Sequence, residues 1–169
     1  MISNAQEYIE AYKEKDKKDF DIQEYNIKLV EKYPFLRPTR ADGTDFTSYD
    51  YTFTELDSMP DGWRIAFGEQ MCEEIADLLK RADYLDKYHI VQVKEKWGGL
   101  RWYDNGVPQY YYAELHSIIK KYEKLSEKTC IICGKPAKWR TTGWIMPICD
   151  ECKNKDESFS NSIEIDKEI

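Results

Sequence analysis

Histidine is nearly absent from this chain, at two residues in 169. The shortage excludes most chemistry built on an imidazole base, because neither His89 nor His116 has a partner motif beside it. A zinc deaminase needs H-x-E and P-C-x-x-C. His89-Ile-Val91 and His116-Ser-Ile118 fail the first pattern, and Pro147-Ile-Cys149 misplaces the second. Both histidines therefore read as structural. Long apolar runs are missing too, with none near the ~18 residues that span a membrane. The opening Met1-Ile-Ser-Asn-Ala-Gln-Glu lacks the basic and apolar regions of a signal peptide, so a cytoplasmic setting is expected.

Positive charge is also in short supply. Lys and Arg number 25 against 32 Asp and Glu, a formal net charge of −7. Phosphate affinity comes from Lys and Arg, so general DNA binding is disfavoured. An acidic surface suits solubility, mimicry of nucleic acid, or docking on a basic protein. Apolar material is plentiful: hydrophobic residues make up 41% and aromatic residues 14%, enough for a real core in one domain with a small appendage.

Cysteine is sparse but concentrated, with four of the five in the last quarter of the chain. Cys130-Ile-Ile-Cys133 and Cys149-Asp-Glu-Cys152 are two C-x2-C pairs separated by fifteen residues. That spacing predicts two metal knuckles joined by a β-hairpin, holding a tetrahedral Zn2+ on four thiolates. Gly134 follows the first knuckle, where the backbone needs a positive φ. Four protein ligands leave no open coordination position, so the metal would be structural. The competing reading is two disulfides or free thiols, and a reducing cytoplasm argues against the former. Cys72 stands apart and reads as a small core hydrophobe.

Ser3 to Gln6 has capping-box spacing and opens a helix carrying Ala5, Tyr8, Ile9 and Tyr12. Lys13 to Asp19 alternates charge sign and reads as a solvated connector. Ile22, Tyr25, Leu29, Val30 and Tyr33 mark a second helix that ends at Pro34. A loop runs on to about Asp45, and Tyr49, Tyr51 and Phe53 alternate with polar residues as a strand does. Ser58 and Pro60 predict the start of the main helix, with a stripe of Trp63, Phe67, Met71, Ile75, Leu78 and Ala82. A hairpin over 88–103 is expected to turn at Gly98-Gly99. A further helix carries Tyr111, Leu115, Ile118, Tyr122 and Leu125. The body is thus 1–127, the zinc ribbon 128–152, and 153–169 a polar tail prone to fray. Trp139 or Trp144 is expected to dock the ribbon.

With a Gly98-Gly99 turn, Lys96 faces Arg101 and Lys94 faces Tyr103, while Val91, Val93, Trp97, Leu100 and Trp102 enter the core. Like charges opposed across strands repel, so Lys94, Lys96, Arg101 and Tyr103 form a candidate surface for carboxylate or phosphate. The ribbon adds Lys128, Lys135, Lys138 and Arg140 around Trp139 and Trp144, and Lys138 and Arg140 are candidate contacts to nucleic acid or another partner. One nuclease-like pattern remains: Asp61 with Gln92-Val-Lys94, which could arrange Mg2+ and water.

Several stretches together resemble a family of small phage and prophage zinc-ribbon proteins of Gram-positive hosts. They are Tyr33-Pro-Phe-Leu36, Phe53-Thr-Glu-Leu-Asp57, Met59-Pro-Asp-Gly-Trp63, Phe67-Gly-Glu-Gln-Met-Cys-Glu-Glu74, Val93-Lys-Glu-Lys-Trp-Gly-Gly-Leu-Arg-Trp-Tyr103 and Cys130-Ile-Ile-Cys-Gly-Lys-Pro136. The resemblance covers roughly residues 30–152 and implies a phage accessory protein working in the host cytoplasm. In that context the chain looks like a non-enzymatic counter-defence inhibitor, by type an anti-CRISPR protein acting on a Cas9-type nuclease. A nucleic-acid-binding accessory or regulatory protein and a metal-dependent phage nuclease are the alternatives. The expected fold is α+β: helices on a small antiparallel sheet, closed by a C-terminal zinc ribbon.

Overall fold

A computed structural model describes residues 5–13, 21–40 and 42–165. The fold is α+β, with helices and two small antiparallel sheets. In chain order its elements are α1 (Ala5–Lys13), α2 (Ile22–Lys32), α3 (Asp61–Trp63), a π-helical turn (Arg64–Gly68), α4 (Glu69–Arg81), β1 (Ile90–Lys96), β2 (Gly99–Asp104), α5 (Gln109–Ser126), β3 (Trp139–Arg140), β4 (Pro147–Ile148), α6 (Asp150–Lys155) and β5 (Ile163–Glu164). The expected cap at Ser3 and most of the alternating-charge connector lie outside the described residues.

The helices form where the apolar spacing places them. Asp21 caps α2, its carboxylate accepting from the Glu24 N–H at 2.9 Å. α3, the π turn and α4 run on as one helix from Asp61 to Arg81. The π turn carries an extra residue in its ring, so Trp63, Phe67, Met71, Ile75 and Leu78 all reach the core. Arg64 enters with them. Its side chain is 2% exposed, pairs with Asp57 at 2.5 Å, and lies over the Tyr8 ring at 4.1 Å. One buried guanidinium thus joins α1, the π turn and the 3-10 turn Glu55–Ser58, and Asp57 also accepts from the Thr54 N–H. The helix begins at Asp61 with Pro60 as its cap residue; Ser58 belongs to the preceding 3-10 turn.

Tyr49 to Phe53 does not form a strand. Asp50 accepts from both the backbone N–H and the hydroxyl of Thr52, an Asx turn. Tyr51 takes φ 61°, and the rings of Tyr49 and Tyr51 meet at 4.5 Å. The period-two pattern is real, but the short polar side chains capture the backbone before a strand partner can.

The β1–β2 hairpin turns one residue earlier than expected, which shifts every cross-strand partner by two and keeps the two faces. Lys96 pairs with Gly99, Glu95 with Leu100, Lys94 with Arg101, Val93 with Trp102 and Gln92 with Tyr103. The turn is therefore Trp97-Gly98, with φ of 58° and 74°, as a type I′ turn demands. The Gly98 N–H donates to Glu95 Oε1 at 2.7 Å and holds it. Trp97 consequently leaves the core face and is 70% exposed. An irregularity between Ile90 and Gln92 turns Val91 outward and Ile90 inward, a β-bulge. Val93, Leu100 and Trp102 stay buried, so the core face keeps its main members.

Residues 153–165 do not form a frayed tail, and 166–169 lie outside the described residues. α6 grows directly out of the second cysteine knuckle, and β5 pairs with β3, making a three-stranded sheet ordered β4-β3-β5. The ribbon thus continues past Cys152 to Ile165, whose N–H donates to Lys138 O.

Candidate metal centre

Cys130 and Cys133 sit on a tight knuckle after α5, where Gly134 at φ 78° donates its N–H to Cys130 O at 3.0 Å. Cys149 caps α6, its sulfur facing the Cys152 N–H at 3.5 Å, and Cys152 follows within the first turn. The hairpin β3–β4 brings the two knuckles together. All four Sγ atoms lie within 4.8 Å of one another, and Cys133 Sγ is 3.6 Å from Cys149 Sγ. A tetrahedral ion with metal–sulfur bonds of about 2.3 Å needs sulfur–sulfur edges of about 3.8 Å, so the residues fit such an ion. None of the four is in a disulfide. Burial pushes the Cys133 and Cys152 thiols up. Burial works the same way on Cys149, but the Cys152 N–H and the neighbouring thiols outweigh it and hold Cys149 down. Four crowded sulfurs are what a cation resolves by displacing their protons.

Apolar cover on the centre is thin: Ile148 with the cysteines, and Ile131, Trp139, Met146 and Phe159 around them. The ribbon leans instead on the body. Trp63 Nε1 donates to Thr129 O at 2.9 Å, and the Gly62 N–H donates to Ile131 O at 2.9 Å. At the far end Gly98 abuts Ile145, whose O lies 3.2 Å from where a Cβ would stand. Docking therefore runs through Gly62, Trp63 and the hairpin turn. It does not run through Trp144, which is 73% exposed, nor through Trp139, which covers the sulfurs and donates to Asp150.

The other candidate residues separate into two groups. On the ribbon, Lys135 pairs with Glu151 at 2.6 Å and Lys138 approaches Asp150 at 3.8 Å. α6 thus brings its own acids onto the basic cluster, which no stretch between Lys128 and Cys149 had shown. Arg140 sits in β3 opposite Pro147 and Ile163, half-buried. On the hairpin, Lys94, Lys96, Arg101 and Tyr103 do share the outer face, although Lys94 rather than Lys96 opposes Arg101. Lys94 donates to Gln92 and lies over the Tyr103 ring. The nuclease-like set does not assemble as a metal group. Asp61 pairs with Lys13, and the four cysteines are the cluster among the described residues that could hold a metal ion. His116 is exposed and stacked on Tyr112, while His89 lines a cleft with Arg37, Asp45 and Lys87. Cys72 is fully buried, and burial pushes its thiol well up, as suits a space-filling role.

Sequence reasoning missed Gly62, and it placed Trp97 in the core and gave Trp139 or Trp144 the docking role, whereas Trp97 and Trp144 are both exposed. Gly62 carried no signal beyond its place at a helix start. Trp97 would have been found by weighing Trp-Gly against Gly-Gly as the turn. No protein-family model matches the chain, and comparisons with curated proteins and with solved structures give no significant match.

Proposed function

We propose that this is a non-enzymatic binding protein with a structural Zn2+ on Cys130, Cys133, Cys149 and Cys152. We further propose that it inhibits a host defence protein, with a Cas9-type nuclease as the specific target. The carrying observation is the closed four-sulfur centre: it spends every ligand on folding the ribbon upon itself and leaves the metal no position for substrate. Four sulfurs with no nitrogen or oxygen donor favour zinc over the harder divalent ions. What the centre holds in place is surface: exposed Trp144 sits on the ribbon it folds, beside exposed Trp97 on the hairpin turn. Tryptophan is the residue most enriched at binding hot spots. The formal charge of −7 suits docking on a protein that is basic because it handles nucleic acid. The resemblance to phage zinc-ribbon proteins supplies the setting, the cytoplasm of a bacterial host.

The test mixes purified protein with a guide-loaded Cas9-type nuclease. A one-to-one complex on gel filtration, weakened by salt and accompanied by lost DNA cleavage, is the expected result. Undiminished cleavage in the presence of excess protein rejects the target, and affinity capture from host lysate then identifies another. Elemental analysis of the same preparation should give one zinc per chain.

The alternative of a nucleic-acid accessory protein gripping through the ribbon loses support from the Lys135–Glu151 and Lys138–Asp150 pairs. Nuclease chemistry at Asp61 and Lys94 has no observation in its favour.

A further inference from the structure

Three cations on the hairpin make no ion pair, although Glu95 lines the cleft beside Lys96 and the Glu127 carboxylate and Arg101 guanidinium both stand near Gly99. Lys94, Lys96 and Arg101 project from the outer face of β1–β2, and none is in an ion pair among the described residues. Several other cations are neutralised: Lys32 by Glu73, Lys121 by Glu74, Arg81 by Glu114 and Lys135 by Glu151. On the hairpin the three form a basic ladder in a chain of charge −7. Its middle rung places Lys94 directly across from Arg101, an arrangement that repels until an anion bridges it.

The ladder ends at an aromatic cleft. Lys96 belongs to both features, lining a cleft of about 250 Å³ with Trp97, Trp144, Ile145, Gly143 and Glu95. Trp97 is held there at φ 58°, a left-handed conformation that costs a bulky side chain energy. Trp144 stands on the facing ribbon tip, beside Gly143 at φ 85°. The two indoles are 70% and 73% exposed, and the abutment of Gly98 on Ile145 fixes one tip against the other. Glu95 also lines the cleft, and its Oε1 accepts the Gly98 N–H at 2.7 Å.

The geometry points to a binding site for single-stranded nucleic acid along this face. Bases stack on Trp97 and Trp144, and the phosphates leading away from the cleft follow Lys96 and then Lys94 and Arg101. Stacking on open indole faces beside a short row of cations is the mode that grips a single strand without reading its sequence. A duplex keeps its bases stacked inside and offers the cleft nothing but phosphate. This site is separate from the ribbon's paired lysines, and it does not depend on the identity of any protein partner.

The probe is a fluorescein-labelled oligothymidylate of about a dozen nucleotides, long enough for one such site. Binding to the zinc-loaded protein is read by anisotropy, and by quenching of tryptophan emission with the unlabelled strand. Micromolar binding with quenching is expected. Three phosphates neutralised on a single strand give a log–log salt slope near about −2, hence about a twentyfold loss between roughly 50 and 200 mM salt. Trp144→Ala should weaken binding roughly tenfold, within the range for one stacked base. Trp97→Gly, which relieves the left-handed turn and cannot harm folding through strain, should do the same. Lys96→Glu should weaken binding and flatten the salt slope. No quenching at low salt, equal binding by the Trp97→Gly/Trp144→Ala double variant, or equal affinity for a duplex of the same length overturns the site. Equally strong displacement by polyglutamate also overturns it, by making the face a dock for acidic protein. Because the assay contains no defence protein, its failure leaves the proposed inhibition standing, and the reverse holds too.

Discussion

A hydrogen atom at Gly62 is all the junction between α3 and the ribbon has room for. A Cβ there would stand 2.1 Å from Cys130 O and 2.7 Å from Gly134 N, both backbone atoms of the first knuckle. Neither can yield without moving a sulfur or breaking the Gly62–Ile131 hydrogen bond. Gly62→Ala should therefore cost about 3 kcal/mol or more, the upper range for an overpacked site. Gly106→Ala is the matching control. At φ 83° it carries backbone strain of about 1 kcal/mol, but no heavy atom lies within 4 Å of its Cβ. Urea unfolding of the two variants separates collision from strain, and amide exchange should place the Gly62→Ala damage at residues 128–136. Zinc content should be unchanged, since all four sulfurs lie on the ribbon side of the clash. Equal losses in the two variants would mean that the ribbon is not seated on the helix at this point.

Among the elements, α4 is the tie between layers, through two adjacent carboxylates that face different neighbours. Glu73 receives Lys32 Nζ at 2.5 Å and the Tyr33 hydroxyl at 2.5 Å, from α2 and the residue after it. Glu74 receives Lys121 Nζ at 2.5 Å and the Tyr122 hydroxyl at 2.8 Å, both from α5. Hydrogen bonds from Lys32 and Tyr33 hold Glu73 below its ordinary value. For Glu74 burial pulls upward, yet Lys121 and Tyr122 prevail and the net shift is down. A depressed carboxylate contributes stability above its unfolded value of about 4.3, and loses it as the pH falls through the folded one. Both groups are part-exposed, so water and salt trim the effect to about 1 kcal/mol for the pair. Glu73→Gln/Glu74→Gln should be less stable than the parent at neutral pH and fall less steeply between about pH 5 and 3. Parent and variant share the same four-sulfur site, so acid release of metal cancels in the difference. A variant as steep as its parent would remove these residues from the acid response. The helices that carry such ties were readable because their stripes repeat at helical spacing over many residues. The hairpin register was not, because Trp-Gly and Gly-Gly both serve as tight turns. Only packing chooses between them: Gly98 against Ile145, and Leu100 under the Ser126 hydroxyl.

The whole molecule divides into a body with a large apolar core and a ribbon with hardly any. The body buries Trp63, Tyr8, Tyr33, Tyr122 and Phe35 completely or nearly so. The ribbon gathers Ile148 and a few half-buried neighbours around its sulfurs. The cysteine spacing made the ribbon's existence legible, because metal chemistry fixes ligand separation along the chain. It could not show where the ribbon ends: β5 is two residues in a polar segment, and its pairing with β3 is tertiary. A ribbon with so little core owes its fold to the ion, as small metal domains do. Removing the metal with a strong chelator at neutral pH should therefore melt residues 128–165 and leave the helices of the body standing. Thiol labelling distinguishes the halves, since Cys130, Cys133, Cys149 and Cys152 should all react after chelation while Cys72, fully buried between helices, waits for denaturant. Far-UV circular dichroism should keep most of its helical signal, and readdition of zinc should restore protection of the four. If Cys72 reacted together with the others, the body would be shown to need the ribbon, and the contacts at Gly62 and Trp63 would be the reason. In that event the metal would hold the entire fold, and Gly62→Ala should expose Cys72 without any chelator at all.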